Sequence, residues 1–449
     1  MYKIFKDFKE KIEFIDKFLL IFITLIPFLL TTSIFLADLF STISGMILIY
    51  IFFKKKFFFF KIIKTEIILM IIFYLIILSS LIFTEYFKIS FLASFFYFRY
   101  FLLSLSIFYL LNKYNFISMI FFYSLIFTIS IVLVDALIQY YYGNNLFGYD
   151  WPGRVYKVEP NFKYITGFFN EEKKLGSYLV RFSPLILTMI YWHKRKENNF
   201  LSNMFLLFVG IIVFLTSERT ALFLYFIVFA FYFLICTNKL KLISYFFLIF
   251  GLLFYLQPDL TYKYIKFTKN QIQGKYVEPE SNAELKLRYY SYEHENLVYT
   301  SIKIFEENFL FGSGVKSFYH ECTKLKNGKL KELTQNKRQN ILLCSTHPHS
   351  TYFQILSDIG IFGVIFALYI LFYISLTSCK IFIQIYKNNR INIPYYFINL
   401  GILVSIFPLI PSGNIFNNWI SLILFYLLGF WLFLKKEIYS KEDIKNKLN

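Results

Sequence analysis

Apolar stretches of membrane-spanning length follow one another along most of this chain, separated by shorter polar segments. A helix rises about 1.5 Å per residue, so about 20 apolar residues cross a hydrocarbon core of about 30 Å. Length and hydropathy together predict about twelve membrane-spanning helices. Their expected bounds are 18–36, 38–53, 65–84, 91–111, 117–139, 175–192, 200–216, 219–236, 240–256, 351–377, 395–411 and 414–434.

The first two expected helices are hard to separate, because residues 18–53 are almost continuously apolar. A single helix of about 36 residues would be about 54 Å long, which is much more than the thickness of the hydrocarbon core. We therefore expect a break or a kink near Pro27 or in the Thr31-Thr32-Ser33 stretch.

The composition is that of a membrane protein. The 449 residues are 57% hydrophobic and only 17% charged, whereas soluble domains carry about 25% charged residues. A soluble core could not bury this much apolar surface. The fold class that we predict is an all-α polytopic membrane protein.

Basic residues collect on one side of the expected helices. That side carries the lysine-rich N-terminus, 54–56, 194–196, 239–241, 380–390 and the tail from Lys435. The short loops 84–90 and 411–414, on the other side, hold one basic residue between them. Since basic loops stay in the cytoplasm, both termini are expected there. Most of the net charge of +19 follows from this bias, so nucleic acid is not an expected partner.

Four segments organise the chain, which shows no internal repeat. They are the N-terminal membrane helices (1–140), an outward polar segment with the central helices (141–256), a large outward loop (257–350), and the C-terminal helices with a cytoplasmic tail (351–449). The large loop, between the ninth and tenth spans, has room for a few helices over the membrane surface but not for an independent catalytic domain.

The four cysteines divide according to this topology. Cys236 and Cys379 lie at cytoplasmic helix ends, whereas Cys322 and Cys344 lie in the outward loop. Disulfides persist in oxidising compartments, but two cysteines can be bridged only if they lie close together. A disulfide and two unpaired thiols both fit the sequence of the loop.

Two histidines end the outward loop. His347 and His349 precede the tenth span, and we expect His347-Pro348 to approach it in an extended conformation. Gly360 and Gly363 should then lie on later turns of the same helix. Histidine is suited to general base catalysis near neutral pH, although a purely structural role is the alternative. No compact pair of ligands indicates zinc, so no metal or other cofactor is expected.

Arginines supply the candidate anion sites. Arg219 stands at the outer end of a span, where a guanidinium can bind phosphate through a planar fork of donors or simply extend to water. Glu218 beside it is expected to be a local partner.

Arg288 lies in the outward loop, before a tight turn at Gly312-Ser313-Gly314. The N–H groups of this turn could face a phosphate, or the turn could be purely structural.

Two more arginines, Arg99 and Arg181, fall inside expected spans. An ionised group inside a membrane is costly and therefore needs a partner. The candidates are a lipid phosphate, Asp135 and Asp358, and we favour structural pairing within the bundle.

Taken together, these segments resemble the O-antigen ligase family of membrane glycosyltransferases, over roughly residues 140–435. The similar stretches are Thr166-Gly167-Phe-Phe-Asn170 with Leu175-Gly-Ser-Tyr-Leu179, Ser217-Glu-Arg-Thr-Ala221, Phe311-Gly-Ser-Gly314, and His349-Ser350 followed after nine residues by Gly360. The last element is the most specific. Ser350 stands where the family more often has asparagine, which weakens the assignment to a subfamily.

The resemblance implies a metal-independent, inverting transfer on the periplasmic side of a bacterial inner membrane. The donor would be a glycan on undecaprenyl diphosphate, and the acceptor a sugar hydroxyl of the lipid A core. His349 would act as the base, while Arg219 and Arg288 would hold the diphosphate. The same likeness makes the other motif residues candidates for substrate binding: Thr166, Gly167, Asn170, Gly312, Gly314, His347 and Ser350.

Two other functions remain open at this point. A polysaccharide polymerase would use the same donor and differ only in its acceptor, and the His-Ser-x9-Gly element modestly favours the ligase. A transporter of the lipid-linked glycan would predict repeated halves and short loops, and the chain shows neither.

Overall fold

The structure, a computed structural model, describes residues 11–55, 63–114, 116–151, 164–193, 199–273, 290–327, 342–387 and 390–448. Within these ranges the protein is helical, and extended pairing is limited to an isolated bridge between Asn144 and Asp150. The all-α class predicted from the sequence is therefore confirmed.

Seventeen α-helices lie in the described ranges. The first six are α1 (Phe14–Thr32), α2 (Ile34–Lys55), α3 (Lys64–Ser79), α4 (Phe87–Phe95), α5 (Phe98–Lys113) and α6 (Ile117–Tyr142). The central ones are α7 (Leu175–His193), α8 (Asn199–Leu215), α9 (Arg219–Ile235) and α10 (Lys239–Leu256). Four shorter ones follow: α11 (Pro258–Tyr262), α12 (Thr268–Ile272), α13 (Tyr292–Glu307) and α14 (Phe318–Asn327). The last three are α15 (Thr351–Tyr386), α16 (Ile393–Ser405) and α17 (Asn418–Leu448).

Seven helical stretches in the described ranges are long and apolar enough to cross a membrane. They are α1, α2, α4 with α5, α6, α10, α15 and the first part of α17. The shorter helices α8 and α9 are also apolar. Each of the twelve spans expected from hydropathy falls on a helix, so the protein crosses the membrane several times. The total of twelve, and the side on which each end lies, remain predictions.

The expected break between the first two helices is at Ser33. Its backbone is extended, with φ −152°, and its N–H still donates to the Leu29 carbonyl at 2.7 Å. Pro27 remains inside α1. The long apolar run 18–53 is thus two helices, as its length requires.

The core of the bundle is built around α16. Every residue of α16 is buried, and the helix packs against α7 and α17, while α17 packs against α5. By contrast, α10 is mostly exposed, as expected for a helix at the lipid boundary. Segments singled out in the sequence lie at the N-terminal ends of the central helices α7 and α9.

The partners expected for the two intramembrane arginines were wrong. Arg99 pairs with Asp38 on α2, donating from Nε at 2.9 Å and from Nη2 at 3.3 Å. Arg181 is buried, donates to the Ser177 carbonyl at 3.2 Å and interacts electrostatically with Glu218. Asp135 and Asp358 instead accept bonds from nearby loop and helix groups. Arg99 thus has a structural partner within the bundle, and this pairing across helices cannot be read from spacing along the chain.

The large loop has a small hydrophobic core of its own. Its members come from α13, α14 and the irregular segment 342–350 before α15: Leu297, Ile304, Phe318, Cys322, Leu325 and Leu342. Cys322 is bonded to Cys344, with 5.4 Å between their Cα atoms. Of the two alternatives for these cysteines, the structure has the disulfide. It fixes the chain three residues before His347.

Candidate functional site

The helix that follows His349 is not continuous, which corrects the expectation for Gly360. Gly360 has φ 69° and ψ −163°, so it interrupts α15 after the first nine residues of that helix. Just beyond the break, the Ile361 N–H donates to the Phe309 carbonyl of the loop at 3.0 Å. Glycine is needed because its φ is positive and because a Cβ would lie 2.4 Å from the Leu310 carbonyl oxygen.

The Gly312-Ser313-Gly314 turn fills this break. Ser313 N–H donates to Ser357 O and Gly314 N–H to Asp358 O, both at 2.9 Å, and Gly312 N–H donates to Asn308 O. A Cβ on Gly312 would lie 2.4 Å from the backbone of Asp358. These N–H groups are therefore occupied within the protein, which fits the structural turn rather than a phosphate cradle. The two glycine motifs form one unit that sets the position of the first part of α15.

A second pair of motifs meets at the N-terminal ends of α7 and α9. Glu218 accepts the N–H groups of Gly176 at 2.7 Å and Ser177 at 3.1 Å, so it caps α7 rather than pairing with Arg219. A Cβ on Gly176 would lie 2.7 Å from Thr216 Oγ1 and 2.9 Å from Ala221 Cβ. The small residues of both motifs are thus required for close packing. This packing fixes the position of Arg219, the first residue of α9.

The segment around Thr166 is anchored to α6. Gln139 Oε1 accepts the N–H groups of Thr166 and Gly167, both at 2.8 Å. Gly167 has φ 55°, and both residues are buried. Asn170 is exposed and has φ 53°. Of these three candidate binding residues, Asn170 is therefore the accessible one.

His349 turns the chain into α15. It has φ 51°, and its carbonyl accepts the Ser412 N–H at 2.8 Å. The expected extended approach therefore ends before His349, and the next residue, Ser350, is extended and precedes the first residue of α15. The backbone bond to Ser412 ties His349 to the segment between α16 and α17.

Three histidine rings meet at this point. The ring centroids of His347 and His349 are 4.1 Å apart, and His294 lies 5.8 Å from His349 in an edge-to-face orientation. His294 is in the first turn of α13, where its Nδ1 is 2.7 Å from Ser291 Oγ. His294 could not be found from the sequence, because 54 residues lie between it and His349 and no motif includes it.

Burial changes the protonation of this cluster. It lowers the pKa of His349 below the usual 6.5. Burial and the nearby His349 lower the pKa of His294 and that of His347 to about 4 each. Near pH 7 all three rings are therefore neutral, which is the form that can accept a proton.

Arg219 lies beside the cluster. Its guanidinium is 5.6 Å from the centre of the Phe267 ring and donates to Thr268 at 3.3 Å and to Gln271. Its positive charge also contributes to the low pKa of His294, so the arginine and the histidines share one electrostatic environment. Arg288, the third expected catalytic residue, lies outside the described residues.

Two motif hydroxyls are buried beside these groups without a partner. The Oγ atoms of Ser217 and Ser350 make no hydrogen bond within the described part of the chain, and the residues are 3% and 4% exposed. Buried polar groups are nearly always bonded. Ser217 directly precedes Glu218-Arg219, and Ser350 directly follows His349.

An apolar cavity of about 150 Å³ begins one residue after Ser350. At this end it is lined by Thr351, Tyr352 and Ile355, and it continues between α3, α5, α15, α16 and α17. Its other end has Glu66 and Tyr373, both bonded to Lys435. Nearly all of its wall is hydrocarbon, which suits an apolar chain.

The clustered histidines raise the question of a metal. Among the residues that the structure describes, no group of three or more His, Cys, Asp or Glu is placed to hold a metal ion. Metal-free chemistry remains an expectation from the sequence.

The fold and this site define a multi-pass membrane protein with a histidine–arginine cluster at one end of its bundle. Residues 204–368 match the family model described as O-Antigen ligase. This match covers a little over a third of the chain and supports its resemblance to the O-antigen ligase family, whose members are membrane enzymes of the ligase and polymerase type. No curated protein matches the chain. Arg219, His294, His347 and His349 all lie within the matched residues.

Proposed function

We propose that the protein is a periplasmic glycosyltransferase of the inner membrane that moves a glycan from undecaprenyl diphosphate to a sugar hydroxyl of the lipid A core. The observation that carries this proposal is the meeting of His349 with Arg219 and two further histidines inside the O-antigen ligase domain. A neutral base and a fixed cation are the two groups that such a transfer needs.

In the proposed reaction, the acceptor hydroxyl attacks the anomeric carbon of the glycan. A new C–O bond forms, the bond from the anomeric carbon to the diphosphate oxygen breaks, and the electron pair leaves with the diphosphate. His349 takes the hydroxyl proton. A single displacement inverts the configuration at the anomeric carbon, and in this proposal arginine, rather than a metal ion, balances the charge that develops on the diphosphate.

Arg219 is suited to hold this leaving group, because its guanidinium is positively charged and lies near the histidine cluster. A guanidinium binds phosphate oxygens through two parallel bonds, and charge stabilisation at a leaving oxygen is commonly the largest catalytic contribution. Its contacts with Thr268 and Gln271 limit its rotamers before the substrate arrives. We expect Arg288 to be a second ligand of the diphosphate.

The apolar cavity supports a lipid-linked donor. It begins at Thr351, two residues beyond His349, so a carrier could keep part of its hydrocarbon chain in the bundle while its diphosphate lies near Arg219. Burying apolar surface contributes about 25 cal/mol per Å², which makes such a cavity a source of affinity for the carrier.

The test is glycan transfer in proteoliposomes that contain the purified protein, a lipid-linked glycan and lipid A-core, with EDTA present. We expect the glycan to appear on lipid A-core. Products that are only longer chains on the carrier would mean a polymerase. Bound donor without any covalent product would contradict an enzyme and favour transport.

A further inference from the structure

His294 has no role in the reaction as proposed so far, yet its position is well defined. It lies in the first turn of α13, and Ser291 Oγ, one turn earlier, is 2.7 Å from its Nδ1. When the proton of the neutral ring is on Nδ1, Ser291 accepts that hydrogen bond. Nε2 then carries a lone pair and can accept a second bond.

His294 interacts with both proposed catalytic groups, by ring contact with His349 and electrostatically with Arg219. Its ring meets that of His349 edge to face, at 5.8 Å between centroids. The charged or titratable groups that act on it are His349 of the loop, Arg219 of α9 and Glu293 of its own helix. His349 is additionally faced by His347, at 4.1 Å. Because burial and the positive charge of Arg219 keep His294 neutral near pH 7, it can accept a hydrogen bond from a protonated neighbour.

We propose that His294 is a positioning residue for the base: it orients the His349 ring and accepts a hydrogen bond from it when His349 carries the acceptor's proton. This inference rests on the proposed function. The acceptor proton stays on one ring nitrogen of His349. The N–H on the other ring nitrogen donates to His294 Nε2, so the positive charge formed in the displacement is shared between two imidazoles. No further proton or electron is needed.

This role differs from donor binding and from simple packing. A donor-binding residue would change the KM for the lipid-linked glycan, and a packing residue would be replaced well by an aromatic ring of similar size. A positioning residue instead changes kcat, and it changes the pH at which the base becomes protonated.

The experiment compares His294→Phe and His294→Gln with wild type in the proteoliposome assay, over pH 4.5 to 8. Phenylalanine keeps a ring but removes the acceptor, whereas glutamine returns an acceptor near the position of Nε2. His320→Phe is the matched control, since His320 is a loop histidine that stacks on Tyr86 at 5.0 Å, away from the cluster. Melting temperatures in detergent show whether each variant is folded.

We expect His294→Phe to lower kcat about 10- to 100-fold, with the KM for the donor within about twofold of wild type. The midpoint of the acid limb should move to lower pH, because protonated His349 has lost its acceptor. His294→Gln should recover most of the rate and the wild-type midpoint, and His320→Phe should match wild type.

The inference is wrong if His294→Phe, folded and active, keeps the wild-type kcat and midpoint, or if glutamine is as poor as phenylalanine. A raised donor KM with unchanged kcat would make His294 a donor-binding residue and also overturn it. The proposed function fails differently: the wild type would then form no product at all, or His349→Ala would keep the wild-type rate.

Discussion

At the scale of single residues, positive φ angles mark the motifs. Five described residues other than glycine have a positive φ, and four of them are Asn170, Ser217, Lys316 and His349. Such a conformation is uncommon for residues with a Cβ, and it persists where the surrounding structure enforces it, often at functional sites. Each of the four lies in or next to a stretch that resembles the family. The backbone there is held in one shape before any substrate binds.

The low pKa of His349 leads to a pH prediction. A lowered pKa means that the ring loses its proton at a lower pH, so the base form already dominates at pH 6.5. Transfer should therefore stay constant from pH 8 down to about 6.5 and fall only below that value. Rates measured under donor saturation in proteoliposomes check this, and a midpoint at pH 7 or above would contradict it.

Residue type and position made His349 and Arg219 candidates, and the resemblance to the family gave them their expected roles. The same reasoning could not find His294. Nothing near it in the sequence indicates a site, and it joins the cluster only because α13 packs against the first part of α15. Contacts made through tertiary packing leave no local signal.

At the scale of elements, the central feature is the joint between the broken α15 and the Gly312–Gly314 turn. Nine residues separate Ser350 from Gly360, and these nine form the helical piece that ends where the turn binds. The spacing was recognised in the sequence as a pattern. Its physical cause, a helix break filled by loop N–H groups, required the structure, since a glycine inside a helix and one at a break look alike in a sequence.

We predict that Gly360→Ala loosens this joint. A positive φ costs an ordinary residue about 1–3 kcal/mol, and the new Cβ would lie 2.4 Å from Leu310 O. The variant should melt at a lower temperature and transfer glycan more slowly. Gly251→Ala is the control, because a Cβ there meets nothing within 4 Å. Equal melting temperatures for the two variants would show that the joint is not strained by a Cβ.

At the scale of the whole molecule, hydropathy located the helices well because the membrane requires long apolar runs with internal backbone bonding. It could not give the arrangement of the helices. Arg99 pairs with Asp38, which is 61 residues away on α2, whereas Asp135 and Asp358 were the carboxylates expected from the sequence. Orientation in the membrane also rests on charge bias alone.

Cysteine labelling tests that orientation. Of the wild-type cysteines, Cys379 is an exposed thiol, Cys236 is buried, and the other two are bonded. We expect Cys379 to face the cytoplasm. A membrane-impermeant maleimide should then miss it in intact cells and label it in broken ones. Tyr142 is the last residue of α6, at an end that we expect to face outward, and it is 83% exposed. A Tyr142→Cys variant in which Cys379 is replaced by alanine should therefore be labelled in intact cells. The reverse pattern would invert the topology.

The apolar cavity gives a prediction for the donor. Ile355→Trp would fill the cavity end near His349, since Ile355 lines it and is 2% exposed. We expect the KM for the lipid-linked glycan to rise about tenfold, because every 1.4 kcal/mol of lost apolar contact is a factor of ten. Ile365→Trp, on the same helix but 58% exposed, should behave as wild type. Equal KM values for both variants would place the carrier's chain elsewhere.

The most direct test of the whole account is the rate of glycan transfer to lipid A-core by wild type, His349→Ala and His320→Ala in one proteoliposome preparation with EDTA. Loss of a general base lowers a rate by about 10² to 10⁴. The account predicts a loss of this size for His349→Ala, with donor binding intact and His320→Ala equal to wild type. Transfer by His349→Ala at the wild-type rate would contradict it.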